Sequence, residues 1–261
     1  MSNIKTLSYR IIFTLFSLLL SLGAQAQFLP IEKINKAPVT YDVVFHWGMI
    51  WKTAAQATHT MHINGSHLSS QLTAKTLSWA ETFHSTRDTL TSTMSYPQLR
   101  PISYRERVHE GKDNKISTTS IDYRWSGSKV LAMSKIARPD KPRTSAVYNA
   151  TGDTYDLGSL FVLLRRLDVN SLRSGWSYTA NIFSSKQEKF TLTYVGKETI
   201  EMRDKQNSKH ETVHLHLTYS QGSTKNSSDG MDIYMSTDGS NLPLLVRAKI
   251  AVGEIRCYCK R

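Results

Sequence analysis

Apolar and polar residues alternate along most of this chain, which is the pattern of β-strands with one buried face. In residues 41–47, for example, an aromatic or aliphatic side chain occupies every second position. The next such stretch ends at Asn64-Gly65, a dipeptide that favours a tight hairpin because both residues tolerate positive φ. About a dozen short segments of this kind predict a mainly β fold: a large antiparallel curved sheet or open barrel.

One segment, residues 156–170, has the periodicity of a helix instead. The apolar positions on one face of this helix are Leu157, Leu160, Phe161, Leu164 and Leu167. Three residues are able to cap its start: Asp153, Thr154 and Asp156. Arg165 and Arg166 stand near its C-terminal end, where positive charge suits the helix dipole. We therefore expect one main α-helix packed against the sheet, either across it or in its open side.

Prolines and polar residues separate the predicted strands by turns and loops, but no linker divides the chain into two cores. Residues 137–143, with two prolines and three basic residues, predict a solvated loop. The whole of residues 137–155 is expected to be a loop and is the only plausible domain boundary. Residues 27–38 contain two prolines and are typical of an extended leader. The expected organisation is therefore a single β-rich domain over residues 39–261.

The first 26 residues have the three parts of a cleavable signal peptide. Lys5 and Arg10 form a basic start, residues 11–22 are almost wholly apolar, and a small-residue A-x-A site ends at Ala26. Cleavage between Ala26 and Gln27 is expected. The alternative is an uncleaved N-terminal anchor, although the apolar run is shorter than the roughly 20 residues that a membrane span needs. No later segment is apolar enough to cross a bilayer.

Export and charge together restrict the partners. The chain has 33 basic and 21 acidic residues, a formal net charge of +12. A basic protein outside the cytoplasm, periplasmic or extracellular, should favour an anionic envelope surface, whereas nucleic acid is a poor candidate in that compartment. The charge is equally compatible with solubility alone. The two cysteines, Cys257 and Cys259, are too close along a strand for an unstrained mutual disulfide, so two thiols or a bond to another chain are expected.

Recognisable catalytic chemistry is missing from the sequence. His214 and His216 would share one strand face and are weak candidates for a metal site, but no third ligand completes the set. Serine-hydrolase, phosphate-loop and dinucleotide motifs are absent, so no catalytic residue and no cofactor is assigned.

Five tryptophans supply large apolar area for a core or a ligand pocket. They are Trp47, Trp51, Trp79, Trp125 and Trp176. A curved sheet with an amphipathic helix is able to enclose an apolar cavity. The leading hypothesis is therefore non-catalytic binding of a lipid, another apolar or amphiphilic ligand, or an envelope partner. The alternatives are a protein–protein assembly module at the envelope and an uncharacterised hydrolase.

The order of three motifs resembles a known family, the domain-of-unknown-function 3108 family of exported bacterial proteins in its Bacteroidetes-like form. The first motif consists of Arg87-Asp88-Thr89-Leu90, Leu99, Pro101 and Glu110-Gly111. The second consists of Tyr155-Asp156-Leu157, Ser159, Leu160, Arg165 or Arg166, Leu167 and Gly175. The third consists of Ser236, Asp238, Leu242-Pro243-Leu244 and Gly253.

The resemblance spans roughly residues 40–259 and implies an exported β-rich fold like a curved open barrel. It implies no catalytic residues. The chain departs from the family at QGSTKNSSD, residues 221–229, where the family often has an aromatic-rich tract.

Overall fold

A computed structural model of the protein describes most of the chain after the predicted signal peptide, whose residues 1–26 lie outside the described residues. The described residues are 28–260 without 48, 82–84, 112–114, 185, 221–227 and 251–252. They form fifteen strands and two α-helices. The strands are β1 (Val39–Trp47), β2 (Ile50–Asn64), β3 (His67–Thr76), β4 (Thr86–Ser95), β5 (Pro101–Glu110), β6 (Lys115–Ser126), β7 (Lys129–Ala137), β8 (Thr144–Thr151), β9 (Thr154–Tyr155), β10 (Ser177–Phe183), β11 (Gln187–Glu201), β12 (Lys209–Ser220), β13 (Ser228–Ser236), β14 (Pro243–Ile250) and β15 (Gly253–Cys259). The helices are α1 (Ser78–Glu81) and α2 (Leu157–Arg166), with 3₁₀ turns at Ile31–Lys33 and Val169–Ser171.

All fifteen strands belong to one sheet. Its order runs from β8 back to β1, then from β15 back to β9, so the first and last strands pair in the middle. Tyr41 stands opposite Cys259 in that antiparallel pair. Short turns join most neighbouring strands, so the remaining strand pairs are antiparallel as well. The exception is the two-residue pairing of β9 with β10, which is parallel.

The two edges of the sheet meet and nearly close it into a barrel. The Asn181 side-chain amide donates to the Thr151 carbonyl at 3.0 Å, and Gln187 donates to the Asn149 carbonyl at 3.2 Å. Side-chain contacts thus replace a regular backbone ladder at the seam. The predicted mainly β fold with one main helix is confirmed.

Helix α2 lies inside this barrel. Asp156 caps its first turn: the Asp156 carboxylate accepts from the Ser159 backbone N–H at 2.9 Å, and the Ser159 hydroxyl accepts from the Asp156 N–H. The helix backbone also approaches the wall closely, because a Cβ added at Gly158 would stand 2.8 Å from the Ser92 Cβ. Glycine at this position lets the helix rest directly on β4.

Side chains on every side of α2 contact the barrel wall. Leu160 and its neighbours pack with β10 to β13, Phe161 packs with β1, Val162 packs with β2 to β4, and Leu157 packs with β5 to β8. The helix was expected to have one apolar face. It has apolar contacts all round because the sheet curves about it instead of lying on one side.

The chain before β1 covers one end of the barrel. Phe28 bridges Leu167, and the Leu29 N–H donates to the Arg166 carbonyl at 2.7 Å. Ile31 and Ile34 are buried there. We call this the closed end; it also holds the β2–β3 turn and Lys260. The expected extended leader is therefore an ordered cover with a 3₁₀ turn.

Two predicted boundaries were wrong. Residues 144–151 were expected to be loop but form β8, an exposed strand at the edge of the sheet. The pattern of residues 189–195 and 198–203 predicts two separate strands, but the structure has the single long β11, Gln187–Glu201, with a register shift between Tyr194 and Gly196. This irregularity bends β11, and its far end reaches the outside of β1 and β2, where Arg203 donates to the Trp51 carbonyl at 3.1 Å.

Candidate functional site

Strand β3 shows how the two halves of the barrel differ. Leu68 and Ser70 face inward, because Leu68 packs with Val162 and the Ser70 hydroxyl donates to the Gly158 carbonyl at 3.0 Å. Alternate residues of a strand share a face, so Leu72 also points inward. Leu68 and Ser70 are fully buried, whereas Leu72 is half-buried. Helix α2 does not extend to this level of the barrel, and among the described residues Leu72 belongs to none of the buried apolar clusters.

The same gradient recurs around the barrel. On β4, Met94 and Ser92 are buried and the next inward residue, Leu90, is only half-buried. On β1, buried Tyr41 is followed by half-buried Val43 and Phe45. We call this inward surface away from the closed end the hollow. Further half-buried members, assigned by strand register, are Val108, Val246, Ala248 and Ile255.

The hollow is mainly apolar but also contains inward-facing acidic groups. Asp88 and Glu106 face inward on β4 and β5. At the floor, Asp156 is fully buried and accepts from the Ser92 hydroxyl at 3.0 Å. Burial raises the pKa of Asp156 to about 6, against the opposing hydrogen bonds from Ser159 and Ser92. The floor therefore disfavours an anion.

The rim of the hollow carries the opposite charge. Helix α1 follows β3 at this open end, and the Trp79 indole N–H donates to the Thr53 carbonyl at 2.8 Å. The Lys52 ammonium lies 4.0 Å from the centre of the Trp79 ring. Arg256 stands over the Trp51 ring at 4.2 Å on the adjacent outer surface. The buried acid Asp156 thus lies at the floor of the hollow, and the ammonium of Lys52 lies at its rim.

The five tryptophans do not converge on one pocket. Trp51 and Trp79 lie at the open end, and Trp47 ends β1 there, although its side chain lies outside the described residues. Trp125 is at the other end, donates to the Pro101 carbonyl at 2.8 Å and lines a cavity of about 660 Å³. Trp176 is buried in the core around α2. Their role as ligand contacts stays a prediction, and Trp79 has the position that suits it.

His214 and His216 do share a face, as their spacing predicted, but it is the outer one. Both donate to the same Asp232 oxygen, at 3.0 and 2.9 Å, and His214 stacks on Tyr234. Burial raises the pKa of Asp232, but the hydrogen bonds from the two histidines outweigh it and hold that pKa below its usual value. Across the described residues, no group of three or more His, Cys, Asp and Glu side chains is arranged to hold a metal.

The cysteines lie on the inward face of β15. Neither forms a disulfide in the described part of the chain, and burial raises the pKa of the Cys257 thiol to about 11. Cys257 is half-buried and Cys259 is buried, so the pair spans the boundary between the hollow and the closed end.

Sequence reasoning missed two features of this site. It did not identify the hollow, because its lining is dispersed over many strands and only the register brings it together. It also interpreted Arg165 only through its charge near the C-terminal end of the helix and did not predict that this side chain is buried. The run Leu160 to Leu164 has no polar position, which signals a helix surrounded by protein.

Comparison with known proteins supports the fold. A crystal structure of a "Beta-barrel-like Protein of Domain of Unknown Function DUF1849" from Brucella abortus aligns with a TM-score of 0.56 at 8% identity, covering 86% of this chain and 95% of that one. No curated protein matches the sequence. Among the described residues, no helix has the length and apolarity to cross a membrane. The family model described as "Protein of unknown function (DUF3108)" matches residues 40–260, so the chain belongs to the DUF3108 family.

Proposed function

We propose that this chain is an exported, non-catalytic protein of the cell envelope that binds an amphiphile with an anionic headgroup. The observation that carries the proposal is the half-exposed apolar inner wall beyond α2. Apolar surface in contact with water costs about 25 cal/mol per Å² relative to its burial. An acyl chain in the hollow would recover that free energy, as apolar ligands do in other concave sites.

The charges orient the ligand. Asp156 is buried at the floor and Glu106 faces inward at the level of Leu90, so both would repel a negative headgroup deep in the hollow, whereas Lys52 stands at the rim beside Trp79. The apolar tail therefore enters first and the headgroup stays at the mouth. An aromatic ring next to an ammonium group is suited to the boundary between an apolar and an aqueous region.

The open end is also suited to meet the membrane that supplies the ligand. Met49, Trp51 and Ile250 are exposed there, next to Lys52 and Lys249. An anionic envelope surface is the partner that this combination of apolar and basic side chains favours.

Binding of a fluorescent fatty-acid probe to the full exported protein tests the proposal. We expect saturable binding with one probe per chain. Leu72→Glu places a charge on the inner wall and should weaken binding by tenfold or more, while Val147→Glu, on the outer face of β8, should leave it unchanged. Circular dichroism would establish that both variants are folded. Absence of saturable binding, or an equal loss in both variants, would contradict the proposal.

Export is tested separately. N-terminal sequencing of the protein from the extracytoplasmic fraction should begin at Gln27. A cytosolic protein that retains residue 1 would remove the envelope from the proposal but not the binding site.

A further inference from the structure

A buried cation with unused hydrogen-bond donors lies at the closed end of the barrel. Arg165, in the last turn of α2, is 1% exposed. Its Nη2 donates to the Asn35 carbonyl at 2.7 Å, while Nε and Nη1 have no hydrogen-bond partner among the described residues. A buried guanidinium is costly unless it is paired, so two unused donors indicate a missing partner.

The space for such a partner is next to the guanidinium. Arg165 lines a cavity of about 240 Å³ together with Asn35, Val39, Leu242 and Lys260. Lys260 is half-exposed, its ammonium lies 3.8 Å from the Asp42 carboxylate, and it also lines a neighbouring groove of about 740 Å³ on the outer surface. The smaller cavity thus has one buried cation, one solvent-facing cation and an adjoining groove on the outer surface.

The surroundings of Arg165 contain donors rather than a counterion. The groups that interact with it electrostatically are Tyr41, Cys259 and His59. Burial, and secondly Arg165, lower the pKa of His59 to about 3, so this imidazole is neutral near pH 7. Burial raises the pKa of Tyr41, which keeps its hydroxyl protonated; that hydroxyl also has no hydrogen-bond partner among the described residues.

We propose that Arg165 and Lys260 bind a small oxyanion, a phosphate or carboxylate group, in this cavity. The site is separate from the hollow, because α2 lies between the two. The guanidinium supplies directional donors and Lys260 supplies a second charge, the combination that recognises phosphate and carboxylate oxygens. The oxyanion is either a free ion or the headgroup of a lipid.

Isothermal titration calorimetry of the full exported protein, at constant ionic strength, tests the site with inorganic phosphate, acetate and submicellar dihexanoyl phosphatidic acid. We expect one saturable site for at least one of the three. Tighter binding of inorganic phosphate or acetate identifies a free ion, and tighter binding of the phosphatidic acid identifies a lipid headgroup.

The variants locate the binding. Lys260→Gln should weaken it about tenfold, because a charge-assisted hydrogen bond contributes roughly that factor. Arg165→Lys should weaken it more. Lys189→Gln, which removes an exposed charge from β11, is the matched control and should leave affinity unchanged. Leu72→Glu should also leave it unchanged, which distinguishes this site from the hollow.

Three results would overturn the proposal: no saturable heat with any of the anions, equal losses in Lys260→Gln and Lys189→Gln, or full affinity in Lys260→Gln and Arg165→Lys together. If Arg165→Lys does not fold, the comparison of Lys260→Gln with Lys189→Gln still decides, because both side chains are solvent-exposed.

Discussion

The two halves of this barrel are built from the same strands yet differ in what fills them. At the closed end, α2 and residues 28–38 bury most of the inner wall. In the hollow, the same strands continue with apolar side chains that remain half-exposed. Leu68 and Leu72 stand four residues apart on one face of β3, and only the first contacts the helix cluster. The comparison teaches that the helix, more than the strand sequence, decides which part of the wall is core and which is site.

The largest effect should come from truncating that wall on the two sides of the boundary. Leu68→Ala leaves an enclosed cavity and should lower the free energy of unfolding by about 3 kcal/mol. Leu72→Ala borders open space and should cost about 1 kcal/mol. Urea denaturation of both variants measures the difference. Equal losses would mean that the hollow is as tightly packed as the closed end.

A comparable effect should come from pH, through Asp156 at the boundary. Its folded-state pKa, about 6, lies above the ordinary value near 3.8, so ionisation disfavours the folded state. The stabilising contribution of the protonated form is present below about pH 4 and is lost as pH rises through 6, a change of about 3 kcal/mol. Asp156→Asn retains a capping side chain and should lack this dependence.

The measurement is the difference in unfolding free energy between Asp156→Asn and the parent protein at pH 7 and pH 4. Taking the difference cancels the contribution of His59, which both proteins share. The lowered pKa of His59 destabilises the fold as pH falls below 6.5, which is opposite to the effect of Asp156. A difference that does not change with pH would show that Asp156 titrates normally.

The rim should affect membrane contact much more than stability. A double variant, Met49→Ser with Ile250→Ser, should lose most of its co-sedimentation with phosphatidylglycerol vesicles, while its unfolding free energy changes by less than about 0.5 kcal/mol. The matched control replaces Val147 and Val195, two exposed residues on the side of the barrel. Equal loss in the control would show that the open end is not the surface that contacts the membrane.

The smallest effect should be seen with the two thiols. Cys257 is half-buried beside the hollow and Cys259 is buried, so a thiol reagent should label Cys257 first and both more slowly than in the unfolded chain. Cys257→Ser should remove the faster phase. Faster labelling of Cys259 would place the boundary between the halves elsewhere.

Local patterns were sufficient for most of the fold. Alternation identified the strands, Asn64-Gly65 identified a hairpin, and Asp156 was among the predicted caps of the helix. Thr144–Thr151 was missed because an exposed edge strand has little apolar alternation to reveal it. His214 and His216 were correctly placed on one face, but their common acceptor, Asp232, comes from the next strand, which spacing cannot show.

The sequence by itself determined a β-rich chain with one apolar helix, because side-chain periodicity and turn chemistry act within a few residues. Only the tertiary structure decided that the sheet closes round that helix, that Arg165 is buried and that part of the inner wall is only half-buried. Those features depend on strand register and on contacts between residues such as Asn35 and Arg165, which lie 130 positions apart. Curvature and burial are properties of the assembled sheet, so no single strand encodes them.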